Sequence, residues 1–369
     1  MIRATVSLLL IFLISALAVY SISFVLPALA QIYGDGIYLT IPASWIGGAI
    51  GGLLLSILAD KWSRKLSLLI SIFLFTVPLF LNVFTRNLFL FYFLWFLIGF
   101  GVNGENGLSY VYAAEISPPS YRGFVGSIMQ GLYFIGGLLG LLWADIFRSI
   151  ETYFLTLGLL SLVSYLLWFS IPESKVRSRG SFSSLRSKNL TKVLVLGSVF
   201  AVGSFLFVVP LVSLSFTLFS FFRLPAFSLL SLALLLGLIG FSLAGRLSDR
   251  WGRKRTTFIF IVISLVSSVM MLLQVPTSLI GVLVTLLMVG SSFFAYFGVW
   301  MSEVFPPEVR ATGTNIVFFL GRLIGGGFGV SIILLMPFGL KEDLGVGLLT
   351  STLLVLGSVL LLPETVRRG

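Results

Sequence analysis

Two ionisable side chains interrupt long apolar runs: Glu105 in LWFLIGFGVNGENGLSYVY and Arg322 in NIVFFLGRLIGGGFGV. A charge in such a setting is costly, so its presence points to function. The planar guanidinium of an Arg can take a carboxylate through two parallel hydrogen bonds. A Glu removed from water can hold or release a proton, because burial raises its pKa and a nearby Arg lowers it. The chain has no His and no Cys. Disulfides, thiol chemistry and the usual metal ligands are thereby excluded, and carboxylates are left to move protons near neutral pH. No nucleophile and base stand together, so neither an enzyme, a cofactor nor a metal is expected. The alternative for Arg322 is structural, an ion pair with Glu105 or a bond to backbone.

The elements that must carry these residues are helices in lipid. Of 369 residues, 58% are hydrophobic and 10% are charged, with a mean hydropathy of +1.10, against about 25% charged in a soluble domain. Too few charges remain to build a water-facing surface. The apolar runs show no polar alternation, which favours helices over a barrel. Spans are read at about 5–30, 40–59, 66–84, 88–114, 123–147, 152–171, 193–218, 226–247, 257–274, 278–301, 312–337 and 344–362. The first is too long for a signal-peptide core and lacks a small-residue cleavage site, so it is expected to be retained.

Charge sets the orientation. With both termini cytoplasmic, four of the 24 Lys and Arg fall outside (Arg86, Arg148, Arg223, Lys341), Arg322 lies within a span, and 19 lie inside. The positive-inside rule accounts for the net charge of +11 without nucleic acid. In this frame Glu105 and Arg322 each lie roughly 14–15 Å from the cytoplasmic helix end, near mid-membrane.

Three motifs recur in order. ADKWSRK around Asp60 returns as SDRWGRK around Asp249, AEISPPSYRG around Glu115 and Arg122 as SEVFPPEVRATG around Glu303 and Arg310, and IPES at Pro172 as LPET at Pro363, at offsets of 189, 188 and 191. Each follows an even-numbered span. The chain is therefore expected to be an all-α membrane protein of twelve transmembrane helices in two pseudo-symmetric six-helix bundles, 1–171 and 193–369. The basic cytoplasmic linker 172–192 joins them, and its charge suits anionic lipid. The glycines Gly47, Gly48, Gly51, Gly52 and Gly325, Gly326, Gly327 are read as sites of close helix packing.

These motifs resemble those of the major facilitator superfamily. GRLSDRWGRKR, Gly245 to Arg255, matches the signature loop in full; in the first-half copy Ser56 and Ser63 stand where glycines are usual. The Glu, Pro and Arg pattern and the PES and PET triplets look like the sugar-porter and metabolite:proton symporter branch. The resemblance implies a cytoplasmic gate of Asp60, Arg64, Glu115 and Arg122 with Asp249, Arg253, Glu303 and Arg310. Its Asp residues are expected near helix N-termini, where the macrodipole favours them, with Arg and Glu bridging neighbouring helices; the alternative is that these residues only cap helices and set topology.

Glu105 and Glu115 keep the spacing of a fourth-helix Gly-Glu pair in proton-coupled symporters, and Arg322 resembles an eleventh-helix Arg of aromatic-acid symporters and organic-ion transporters. Gln130 has the spacing of a sugar-contacting fifth-helix Gln. Asn103, Asn106, Asn315 and Tyr296 are candidate polar contacts, with interhelical hydrogen bonding as their alternative. The seventh helix lacks the paired glutamines of sugar porters, the first lacks an acid, Trp95 replaces an embedded Arg, and the fifth lacks the proline motif of drug antiporters. The resemblance thus implies a secondary transporter in the cell membrane, a monomer in lipid, moving a small organic metabolite by alternating access. An organic anion is favoured over a sugar, with protons as candidate co-substrate. Efflux of amphipathic compounds and a non-transporting sensor or scaffold are the alternatives.

Overall fold

Arg64 begins a helix after the two residues Trp62 and Ser63, and Arg253 after the single residue Gly252; short breaks such as these separate many of the spans. The structure, a computed structural model, describes residues 2–116, 122–173, 188–306 and 309–366, though not the side chains of 2, 111, 113–116, 122–125, 127, 188 and 311. The expected linker therefore lies largely outside the described residues. Among those described there is no strand, and twelve helices are long and apolar enough to cross a membrane. They are α1 Arg3–Tyr33, α2 Asp35–Lys61, α3 Arg64–Phe84, α4 Leu88–Tyr110, α5 Ile128–Ile146, α6 Ile150–Trp168, α7 Asn189–Phe221, α8 Ala226–Trp251, α9 Arg253–Leu272, α10 Thr277–Val304, α11 Thr312–Leu335 and α12 Leu340–Leu361. The chain divides into two compact units, 1–119 with 132–177, and 120–131 with 178–369.

In the first unit α2 and α4 meet backbone to backbone. A Cβ at Gly47 would stand 2.1 Å from the Phe96 carbonyl oxygen, and one at Gly99 only 1.7 Å from that of Ser44. Small residues permit this approach, which in lipid replaces the hydrophobic drive between helices. Behind that contact, Trp95 is fully buried and leans on Phe154 of α6 with ring centroids 6.4 Å apart. An apolar indole occupies the place where the resemblance would have put a charge.

The second unit is centred on phenylalanines. Phe200 of α7 stacks on Phe297 at 4.9 Å, edge-on to Phe293 and Trp300, and Phe205 meets Phe294 and Phe318. Two spans depart from regular helix. The unbroken helix expected over 278–301 tightens at Ser291–Phe294 and restarts at Phe297, and α11 widens into a nine-residue π-helix, Gly321–Gly329. Side-chain-free glycines allow that widening against α7, where a Cβ at Gly325 would lie 2.2 Å from the Val202 carbonyl oxygen. At the far end of α9, the buried Lys341 donates to the carbonyls of Met271 and Leu273 at 3.0 and 2.9 Å, supplying a cation to a helix C-terminus.

Candidate functional site

Within the first unit, Glu105 is 0% exposed and sits in a small polar cluster. Ser15 of α1 donates to its Oε2 at 2.7 Å, and Ser109, one turn along α4, donates to its Oε1. Ser15 also lies 3.1 Å from Asn106 Oδ1, and Asn106 Nδ2 donates to the phenol of Tyr133 on α5. Rings pack around the phenol: Phe12 is edge-on to Tyr110 and Tyr133, and Tyr20 to Tyr133. Among the described residues no Lys or Arg forms a salt bridge with Glu105. Its charge is answered by hydroxyls, which can serve either protonation state.

Within the second unit, Arg322 stands in the π-helical stretch of α11 and is 7% exposed. Its guanidinium carbon lies 5.3 Å from the Phe318 ring centroid and 5.8 Å from that of Phe205. Aromatic faces of this kind stabilise a desolvated cation without neutralising it. A π-helical segment also shifts the register of the residues it carries, and such segments are common at functional sites.

The repeated motifs gather at the helix ends. Arg253, first residue of α9, donates through Nη1 to Asp249 Oδ1 at 2.7 Å, and through Nε and Nη2 to the two oxygens of Glu303 at 3.2 and 2.8 Å. Tyr296, a candidate polar contact with interhelical hydrogen bonding as its alternative, bonds between helices here: its hydroxyl lies 2.6 Å from Thr257 Oγ1 and donates to the Arg253 carbonyl at 3.4 Å, with the guanidinium 5.8 Å from its ring centroid. Tyr296 lies in the break of α10, as the residue that precedes the restarting helix. In the first unit Arg64 approaches Asp60 at 3.9 Å. The side chains of Glu115 and Arg122 lie outside the described residues.

One expectation about this cluster is corrected. Asp60 and Asp249 stand in the last turns of α2 and α8 rather than at helix N-termini. The N-termini of α3 and α9 are held by Glu173 and Glu364 of the PES and PET triplets. Glu173 accepts from the amides of Arg64 and Lys65 at 3.1 and 3.4 Å, and Glu364 from those of Arg253 and Lys254 at 2.9 and 3.0 Å. Glu303 is bridged by Arg253 of the neighbouring helix, and Arg310 Nε donates to the Phe305 carbonyl at 3.5 Å.

The two halves seat these carboxylates differently. Gly252 adopts φ +98°, and a Cβ there would come within 2.7 Å of Glu364 Oε2. At the matching position Ser63 is extended, caps α3 by accepting from the Leu66 amide at 3.0 Å, and donates to Glu173. Burial alone would raise the Glu364 carboxyl, but backbone N–H groups of Arg253, Lys254, Val366 and Thr365 outweigh it and hold it below the ordinary carboxylate range.

Of the remaining candidates, Asn103 is buried, donates to the Gly99 carbonyl at 3.2 Å and packs where a Cβ on Gly48 would stand, 2.1 Å from its Nδ2. Gln130 is buried one turn before Tyr133, and Asn315 is half-buried two turns before Arg322. Sequence reasoning missed Ser15, Ser109, Tyr133, Glu173 and Glu364. The recurrence of PES and PET was a signal for the last two, whereas serines and tyrosines in apolar helices carry none of their own.

A model of the Major Facilitator Superfamily matches residues 8–330. The chain is similar to a probable 4-methylmuconolactone transporter of Cupriavidus pinatubonensis, with 27% identity over 93% of this chain and 86% of the relative. It is also similar to a putative niacin/nicotinamide transporter of Bacillus subtilis, with 25% identity over 78% of this chain and 76% of the relative. Among solved structures, a D-xylose-proton symporter shares the fold with a TM-score of 0.77 and 18% identity, covering 99% of this chain and 98% of that one.

Proposed function

We propose, for a chain that belongs to the Major Facilitator Superfamily, that the solute it carries is a small organic metabolite with a negative group, an organic anion in preference to a sugar. The protein is a multi-pass transporter of the cell membrane. Arg322 binds the anionic group and Glu105 carries the coupling proton. The observation that supports this reading is the pair of buried, oppositely charged side chains, one in each unit: Glu105 among the hydroxyls of Ser15 and Ser109, and Arg322 against the rings of Phe205 and Phe318. The names of the two curated relatives, a muconolactone and a niacin/nicotinamide transporter, accord with a small organic solute.

In the same reading, residues 1–171 and 193–369 alternate their access to the two sides, with both termini cytoplasmic. Asp60, Arg64, Glu115 and Arg122 with Asp249, Arg253, Glu303 and Arg310 then form the cytoplasmic gate, to which Tyr296, Glu173 and Glu364 are added as supports. A network of charge-assisted bonds that exists in one state only can bias an equilibrium between states separated by a few kcal/mol.

Reconstitution in liposomes tests the coupling. Glu105→Gln is expected to abolish accumulation driven by a pH gradient while counterflow of labelled solute persists. Loss of both to the same extent would leave Glu105 with a binding or folding role and remove the coupling one.

A further inference from the structure

Five basic residues stand within the ten positions 246–255 at the turn between α8 and α9, and two of them are spoken for. Arg253 binds Asp249 and Glu303, and Lys254 Nζ donates to the Leu360 carbonyl at 3.0 Å. Arg246, Arg250 and Arg255 are exposed. Among the described residues none of these three forms an ion pair or a side-chain hydrogen bond.

Their positions make this unfavourable. Arg246 and Arg250 are one helical turn apart, and like charges at that spacing repel. Arg255 lies in the first turn of α9, which has no acidic residue, and a cation at a helix N-terminus opposes the macrodipole. Glu364, the acid that reaches this turn, is taken up by the amides of Arg253 and Lys254. An anion from outside the chain would offset both terms.

The surface next to these arginines says what carries that anion. On α8 the exposed face reads Leu232, Leu235, Ile239 and Leu243, then Arg246 and Arg250, at steps of three and four. On α9 it reads Arg255, then Ile259, Val262, Val266 and Val269, again at steps of four and three. An exposed and wholly aliphatic face on a membrane span is a face for acyl chains. The two apolar stretches are about 15–17 Å long, which matches the roughly 15 Å of one leaflet. Trp251, 52% exposed, stands at the turn itself, where an indole suits the level of the headgroups.

The repeat separates this arrangement from the general excess of inner positive charge. Asp249, Arg253 and Lys254 have their counterparts in Asp60, Arg64 and Lys65, whereas Arg246, Arg250 and Arg255 match Ile57, Lys61 and Leu66. The motif is thus complete without the three lipid-facing arginines. Only the second unit has them.

We propose that the α8–α9 face of the second unit is a binding surface for an anionic phospholipid, whose headgroup phosphate is held by Arg246, Arg250 and Arg255 and whose acyl chains lie along the two apolar stripes. All its members belong to one unit, and neither Glu105 nor Arg322 enters it, so it stands or falls apart from the transport reading.

Bromine quenching of tryptophan tests this on the full chain in nanodiscs of equal phosphatidylcholine and phosphatidylglycerol, with the bromine on one lipid or the other. The Trp251 signal is the difference between the unaltered protein and Trp251→Phe, and Trp62 in the first unit, 71% exposed, is isolated likewise with Trp62→Phe. Trp251 is expected to favour phosphatidylglycerol about fivefold, the contribution of one basic residue against an anionic lipid, and Trp62 less. The triple variant R246Q, R250Q, R255Q should abolish the Trp251 preference; its three side chains are exposed and unbonded, so packing is left alone. A preference that survives the triple variant, or one no larger than that of Trp62, overturns the site and leaves charge that only sets topology. If soluble glycerol phosphate removes the preference, the arginines take a free phosphate, and the lipid is overturned as occupant.

Discussion

At the scale of single residues, Arg253 shows how one side chain can serve as fastener and cap together. Its fork reaches Asp249 in the preceding turn and both oxygens of Glu303 on α10, while its backbone amide bonds Glu364. A lysine has a point charge and cannot span two carboxylates in this planar geometry. Arg253→Lys is expected to cost about 1.5–3 kcal/mol, the range of hydrogen bonds to charged groups, seen as a lower unfolding temperature in detergent; an unchanged temperature would mean the fork carries no weight. Glu364 supplies a pH dependence. Its folded-state pKa is depressed, so its contribution is fully present above its unfolded pKa of about 4.3 and is lost as pH falls through the lower, folded value. Glu364→Gln should therefore lower stability at neutral pH and flatten the acid limb of a stability–pH profile. Glu105 and Arg322 were legible at this scale because a charge within an apolar run has few explanations. Ser15 and Tyr133 were not: Ser15 meets Glu105 from 90 positions away, and hydroxyls are common in these helices.

At the scale of elements, the two helix starts that follow the repeated motifs solve one problem in two ways. Gly252 takes a backbone conformation that other residues rarely adopt and lets Glu364 approach, whereas Ser63 caps α3 from an ordinary extended conformation. Gly252→Ala is expected to destabilise by about 1–3 kcal/mol. Ser63→Gly should cost only a few tenths. Thermal unfolding of the two variants measures the difference, and equal costs would show that the asymmetry is without energetic content. Reading Ser63 from the sequence as a lost glycine was thus incomplete, since the position keeps its role through a different group. Gly99→Ala places a methyl 1.7 Å from the Ser44 carbonyl oxygen, and overpacking of this kind costs typically about 1–3 kcal/mol. Poor folding yield at normal transcript level would register it. The break in α10 and the π-helix of α11 were hidden, because hydropathy does not sense hydrogen-bond register.

At the scale of the whole molecule, the substrate question meets the family fold. A thermal-shift screen over organic acids, sugars and amphipathic cations, repeated on Arg322→Ala, is expected to show stabilisation by an organic acid that disappears in the variant. Stabilisation by cations alone would favour the efflux alternative. The sequence by itself determined the solvent, the number of spans and the existence of a duplication, because lipid demands long apolar helices and because charged motifs do not repeat in order at nearly constant offsets by chance. It also singled out Glu105 and Arg322, since burying a charge is costly wherever the helix lies. Only the tertiary structure decided partners: that Glu105 is held by hydroxyls, that Tyr296 belongs with Arg253, and that Glu173 and Glu364 rather than the aspartates hold helix N-termini. A hydrogen bond depends on distance and direction between residues far apart in the chain, and those are set only when the helices pack.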